Sequence, residues 1–170
     1  MPPALAVAAV VTLANLLIMG GEAILSAFNE QVLRARGAVE PAGDVIHIMR
    51  WAYPGAFMAM AVEGAVTGPA PQTVLMAGLA VFGLAKALKV WAISSLGWRW
   101  SYRVLVIPGE PLVTAGPYRV LPHPNYLAVV GEMIGVALIV WAPLTGILSL
   151  LGFGRLMVAR IGVEDRALGR

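Results

Sequence analysis

The sequence predicts an all-α integral membrane protein of five transmembrane helices, and three observations carry that prediction. Hydrophobic residues make up 59% of the 170 and charged residues only 12%, whereas a soluble domain carries about 25% charged residues. With a mean hydropathy of +0.82, most of the outer surface must face something other than water. Apolar runs exceed the roughly 18 residues that mark a membrane-crossing helix. The basic residues, finally, fall on alternate connections, which fixes an orientation.

The first span is expected from about Pro3 to Phe28. It has no basic n-region, and its apolar stretch exceeds the roughly 7–15 residues of a signal-peptide core, so a retained first helix is expected. The second span covers about Ile46 to Val66. The third begins after the Gly68-Pro69-Ala70-Pro71 turn and ends near Leu96, since Pro and Gly punctuate helices. The fourth runs from Pro124, suited to a first helical position, to about Trp141. The fifth starts near Pro143 and ends near Ile161. The short Ala142–Gly146 stretch makes the last two helices a tight hairpin. The chain thus divides into a three-helix region, residues 1–96, and a loop, hairpin and tail over residues 97–170.

The twelve basic residues lie in the loop after span one, the loop between spans three and four, the C-terminal tail, or the adjoining helix ends. The N-terminus and the other two turns carry none. The positive-inside rule then puts the N-terminus outside and the C-terminus in the cytoplasm, which requires an odd number of spans. Lys86 and Lys89 lie in the cytoplasmic half of span three. Snorkelling to the interface is the leading expectation for them; lining a polar cavity is the alternative. Glu22, Glu63 and Glu132 also lie within spans, where a carboxylate ordinarily faces protein or water. Glu63 is expected to be solvated at the outer end, and Glu132, two turns into span four, to belong to a site.

The absence of cysteine excludes disulfides, thiolate ligands and a cysteine nucleophile. Two histidines, His47 and His123, make a histidine-built metal centre a poor expectation. The pI of 9.7 reflects cytoplasmic Lys and Arg, not a nucleic-acid surface, because no basic run or stacking platform accompanies it.

The chemistry concentrates in the Gly97–Pro122 connection, the start of span four and the end of span five. A connection that long is functional or disordered, and Trp98, Trp100, Tyr102, Tyr118 and three arginines argue for order; Trp98 and Trp100 also suit a membrane belt. Pro124 leaves the positive end of span four facing this loop, a site for an anion. His123 and Asn125 flank it, and Tyr118 and Tyr126 offer ring faces for a cation or an adenine. Arg160 and Glu164, four apart at the end of span five, read simply as a surface pair. The hairpin nevertheless returns them to the membrane face that holds His123.

These residues carry a resemblance. Leu112-Val113, Gly116-Pro117-Tyr118-Arg119, His123-Pro124-Asn125-Tyr126, and Arg160 with Glu164-Asp165 together resemble the isoprenylcysteine carboxyl methyltransferase family of integral membrane methyltransferases. Trp91–Pro111 resembles its bacterial-type branch, some members of which O-methylate alkylpyrones and alkylresorcinols. The resemblance implies S-adenosylmethionine as methyl donor, bound in residues 97–170. It implies donor contacts at Leu112, Val113, Tyr118, His123, Pro124, Asn125, Tyr126 and Glu164, and more weakly at Arg103 and Glu110. It also implies that Arg160 faces the acceptor oxygen as catalytic residue, with Glu132 on the substrate side. The expected partners are a lipophilic or lipid-modified acceptor and membrane lipids, with a lipid tail entering sideways near spans two to four. Where the family usually has Arg before His-Pro, this chain has Pro122; the cation is lost or replaced by Arg119. A small transporter, a non-catalytic scaffold and a phospholipid N-methyltransferase are the alternatives.

Overall fold

Pro3, Pro124 and Pro143 each open a helix, where the missing N–H of proline costs nothing and its fixed φ is already helical. The computed structural model describes residues 2–169. Five α-helices occur in order: α1 (Pro3–Ala35), α2 (Ile46–Thr67), α3 (Gln72–Leu96), α4 (Pro124–Ile139) and α5 (Pro143–Leu168). Short 3₁₀ turns at Gly97–Arg99 and Gly116–Arg119 interrupt the α3–α4 connection, and an isolated antiparallel bridge pairs Val39 with Val106.

Among the described residues, three segments are long and apolar enough to cross a membrane: Pro3–Ala35, Gln72–Arg99 and Pro143–Leu168. Their outward residues are those of a lipid-facing surface, among them Ile24, Leu84, Leu151 and Val158. Helix α4 differs: Ala128, Met133 and Val136 are fully buried, so it serves as the central strut of the bundle. At 16 residues it is about 24 Å long.

Several helix ends depart from expectation. α1 continues past Phe28 to Ala35 because its polar last turns find partners in the α3–α4 connection. Asn29 Nδ2 donates to the Trp100 carbonyl at 2.8 Å, and Ser26 Oγ accepts from the Tyr102 N–H at 2.7 Å. α5 likewise runs on from Ile161 to Leu168, its acidic turn held by α4 side chains. α4 stops at Ile139, short of Trp141, and residues 140–142 make the tight turn into α5.

Glycine sets the spacing of α3 and α4. A Cβ on Gly135 would lie 2.7 Å from Phe82 Cβ, and one on Gly131 would lie 2.8 Å from Ala85 Cβ. Small residues four apart let backbones approach where no hydrophobic effect drives association.

Glu63 does more than stand at the solvated outer end. Its carboxylate, still partly exposed, accepts from the N–H groups of Leu144 at 3.0 Å and Thr145 at 2.7 Å, and from the Thr145 hydroxyl at 2.5 Å. It caps α5, whose own N-cap residue Ala142 offers no side-chain bond. Removing an acceptor of this kind costs about 0.5–2 kcal/mol. Glu63→Ala is therefore expected to lower thermal stability in detergent by about 1 kcal/mol, with Glu63→Gln losing less; an unchanged melting temperature in the alanine variant would refute the cap.

Candidate functional site

A cavity of about 710 Å³ opens at the end of the bundle where the α1–α2 and α3–α4 connections meet, within the range of small-molecule sites. Its roof is the segment Arg99–Val113, held rigidly in place. Arg103 bridges Glu40 at 2.6 Å and Glu30 at 3.3 Å, and Arg99 pairs with Glu110 at 2.5 Å. The bond to Glu40 is the main reason the Arg103 pKa is raised. On Glu40 the cost of burial is outweighed by Arg34 and Arg103, which hold its carboxyl below the ordinary value. Trp100 is buried in this roof at 2% exposure and is no membrane-belt residue; Trp98 lies outside it beneath the Arg36 guanidinium.

One wall comes from the start of α4 and the end of α5. His123 Nε2 lies 3.0 Å from Asp165 Oδ1, and its Nδ1 lies 3.6 Å from Glu164 Oε2. The Tyr126 hydroxyl donates to the same Glu164 oxygen at 3.0 Å. With a carboxylate facing each ring nitrogen, the doubly protonated imidazolium is favoured. Glu164 foremost, then Asp165, raises the His123 pKa above its ordinary 6.5 against the opposing effect of burial. A group whose folded-state pKa is raised stabilises the fold fully below its unfolded value and loses that contribution as pH climbs through the folded value. Thermal stability in detergent is therefore expected to fall as pH rises above about 6.5, the ordinary histidine value, with a smaller fall in His123→Asn; equal slopes in the two proteins would show that the clasp does not titrate.

Arg160 is buried at 6% exposure and is not the surface partner of Glu164. Its guanidinium donates to the Tyr102 carbonyl and lies 3.6 Å from Asp44 Oδ2, while its Nε has no hydrogen-bond partner. Asp44 is itself fixed by the Ile46 and Val104 N–H groups. Lys86 and Lys89 do not snorkel. Lys89 is 2% exposed and bridges Glu22 at 2.8 Å and Glu132 at 3.2 Å; Lys86 lies 3.1 Å from Glu132. The Tyr53 hydroxyl donates to Glu132, and the Tyr102 hydroxyl donates to Glu22 at 3.0 Å.

Of the residues singled out from sequence, Leu112, Val113, Tyr118, His123, Asn125, Tyr126, Glu164, Arg103, Glu110 and Arg160 all line the cavity. Pro124 sits behind the wall, and Glu132, fully buried, stands behind Lys89 and Tyr53. Pro122 lines the cavity whereas Arg119 is exposed elsewhere, so Arg119 does not replace the cation missing before His123. Sequence reasoning missed Asp44 and Tyr53, and it saw no role for α1 or α2 in the walls. Asp44 had a local signal, an Asx residue two positions before a helix; Tyr53 had none.

A helical membrane protein whose α4–α5 hairpin and preceding loop enclose a polar-walled cavity is the class that this fold and site define. The chain belongs to the isoprenylcysteine carboxyl methyltransferase (ICMT) family, whose profile matches residues 76–170, and it is accordingly a member of a membrane methyltransferase family. "Uncharacterized protein YpbQ" of Bacillus subtilis is 32% identical over 146 residues, covering 82% of this chain and 83% of that protein. An "Uncharacterized protein" of Haemophilus influenzae is 23% identical over 145 residues, covering 85% and 84%. No solved structure matches the chain.

Proposed function

We propose that this protein is an S-adenosylmethionine-dependent O-methyltransferase acting inside the membrane on a lipophilic carboxylate, phenol or enol. The observation that carries the proposal is the single cavity whose walls include both the His123–Glu164 clasp and Arg160. The residues present fit the donor. Helix α4 has no side-chain cap, so the N–H groups of its first turn can receive a carboxylate. Asn125 Oδ1 is buried without a partner on a cavity-lining residue, and the Glu164 carboxylate suits an ammonium or ribose hydroxyl. Leu112, Val113 and Tyr118 supply apolar and aromatic surface for an adenine. Bound there, the donor supplies a methyl group already activated on a sulfonium.

The protein's task is then to position reactants and exclude water. The pinned roof, with Trp100 and Val104 buried in it, shields one side of the site from solvent. Arg160 stabilises negative charge on the acceptor oxygen. All five helices cross the membrane in this reading, with the N-terminus outside, the C-terminus in the cytoplasm and the cavity mouth on the cytoplasmic face. The placement of Arg50, Arg99 and Arg103 at the cavity end of the bundle supports that orientation. The acceptor's tail enters between α1 and α2, because Met19, Gly20 and Ala23 of α1 and Trp51 and Pro54 of α2 all line the cavity and Trp51 is 71% exposed.

Isothermal titration of the full chain in detergent with S-adenosylmethionine, followed by incubation of labelled donor with membrane lipid extract, tests this. Donor binding and a labelled lipid-soluble ether or ester are the expected results. No binding at about millimolar donor would overturn the methyltransferase reading, and a labelled amine product would overturn O-methylation.

A further inference from the structure

Three tyrosines on the cavity wall donate their hydroxyls to carboxylates. Tyr126 donates to Glu164 beside His123, on the side proposed for the methyl donor. The other two feed one buried cluster. Tyr53 of α2 donates to Glu132 of α4, and Tyr102 of the roof donates to Glu22 of α1 at 3.0 Å. Lys89 joins the two carboxylates, 2.8 Å from Glu22 Oε2 and 3.2 Å from Glu132 Oε2, and Lys86 stands 3.1 Å from Glu132. A continuous chain of polar groups thus runs from Tyr53 through Glu132, Lys89 and Glu22 to Tyr102. Neither carboxylate lines the cavity, but Tyr53, Lys89 and Tyr102 do.

The chain has a direction at its Tyr53 end. An ionised carboxylate only accepts, so the Tyr53 proton points at Glu132 and the Tyr53 oxygen is left to accept from the cavity. Arg160 Nη1 reaches Met49 Sδ at 3.9 Å, and Met49 stands one turn before Tyr53 on the same face of α2. The guanidinium that would steady an acceptor oxyanion and the hydroxyl that could take its proton therefore share one part of the cavity. Among the described lining residues the other carboxylates are committed: Glu30 to Arg103, Glu110 to Arg99, and Glu164 to His123 and Tyr126. An uncharged phenol or enol is a poor nucleophile until its proton leaves, and a positioned base contributes about 10²–10⁴-fold.

We propose that Tyr53, backed by Glu132, takes the proton of the acceptor hydroxyl during methyl transfer. This rests on the methyltransferase reading in its phenol or enol form. As the oxygen–methyl bond forms and the sulfur–methyl bond breaks, the electron pair of the broken bond stays on sulfur. The hydroxyl proton moves to Tyr53 Oη, and the Tyr53 proton moves to Glu132. Lys89 then gives a proton to Glu22 while regaining one from Glu132, and Tyr102 returns it to the roof and solvent. With two ammonium and two carboxylate groups the cluster begins formally neutral, so it gains the positive charge that sulfur loses. The interior keeps its total charge through the reaction, which gives four ions that are expensive to desolvate a chemical use.

Binding of 3-pentadecylphenol and 3-pentadecylanisole to the full chain in detergent, without methyl donor, reads the hydrogen bond to Tyr53. The wild type is expected to prefer the phenol by about tenfold, the worth of a hydrogen bond backed by a charged group, and Tyr53→Phe to lose that preference. Single-turnover methylation reads the proton transfer, using 3-pentadecylphenol and 4-nitro-3-pentadecylphenol at a pH where the nitrophenol is already ionised. Tyr53→Phe is expected to slow the first by about 10²-fold and the second only a few-fold, and Glu132→Gln to show the same split. S-adenosylmethionine titration reports whether each variant is folded. A merely structural role would slow both phenols alike, and that result would overturn the inference. So would a Tyr53→Phe protein that still prefers the phenol, or a donor-binding wild type that lacks the preference or methylates neither phenol. The wild-type preference needs no variant, so a variant that fails to fold leaves the test decisive. Absent donor binding in the wild type would instead sink the methyltransferase reading itself.

Discussion

Replacing Arg160 with alanine is expected to lower methyl transfer by about 10²–10³-fold, the usual effect of removing a donor aimed at developing negative charge, with S-adenosylmethionine binding changed only a few-fold. The reason is where the guanidinium stands. It is buried, its Nη2 is committed to Asp44 and the Tyr102 carbonyl, and its buried Nε is left without a partner on a residue that lines the cavity. Arg160→Lys keeps a charge but loses the planar fork that holds those groups together, so it is expected to recover only a small part of the activity. The alanine variant also leaves the Asp44 carboxylate, 4% exposed, facing an empty space. Some loss of stability is therefore expected, and Asp44→Asn in the Arg160→Ala background should restore stability without restoring turnover. Single-turnover assays with labelled donor and membrane lipid extract, alongside calorimetric donor titration, read both quantities; wild-type turnover in Arg160→Ala would remove the residue from the chemistry.

The sequence carried the secondary structure and one wall of the cavity well, and the reason is local. Prolines at helix starts, the Gly68–Pro71 turn and long apolar runs mark α1 to α5 without reference to neighbours, and the residues from Leu112 to Tyr126 form a contiguous signature. What it did not carry depends on pairing across helices. Lys86 and Lys89 look like snorkelling side chains until Glu22 and Glu132 are brought beside them, from positions at least 64 and at least 43 residues away in the chain. Glu63 reads as a merely solvated end group until the α4–α5 turn delivers two bare N–H groups to it. The ends of α1 and α5 ran longer than hydropathy indicated for the same reason, since polar turns stay helical when a distant segment satisfies their side chains. Arg160 and Glu164 show the limit of helix periodicity: four residues apart on one face, they turn to different partners because Asp44 and Tyr126 come from elsewhere.

The second large effect concerns the framework, and there two glycines are expected to respond with opposite signs to the same substitution. In an ordinary helix Gly→Ala stabilises by about 0.5–1 kcal/mol, because glycine loses more backbone freedom on folding. Gly152 of α5 is exposed and has nothing within 4 Å of where a Cβ would stand, so Gly152→Ala is expected to gain about that amount. At Gly135 the new Cβ would lie 2.8 Å from both the Cα and the backbone nitrogen of Phe82. Backbone cannot rotate out of the way as a side chain can, so α3 and α4 must separate. Overpacking of this kind costs about 1–3 kcal/mol, more than the helix-propensity gain, and the displacement reaches the site because α3 carries Lys89 and α4 carries Glu132, Tyr126 and Asn125. Gly135→Ala is therefore expected to lower both melting temperature and donor affinity, while Gly152→Ala raises the first and leaves the second alone. Thermal unfolding and donor titration of the two variants in one detergent decide it: a Gly135→Ala protein as stable as the wild type would mean that α3 and α4 are not held at glycine contact.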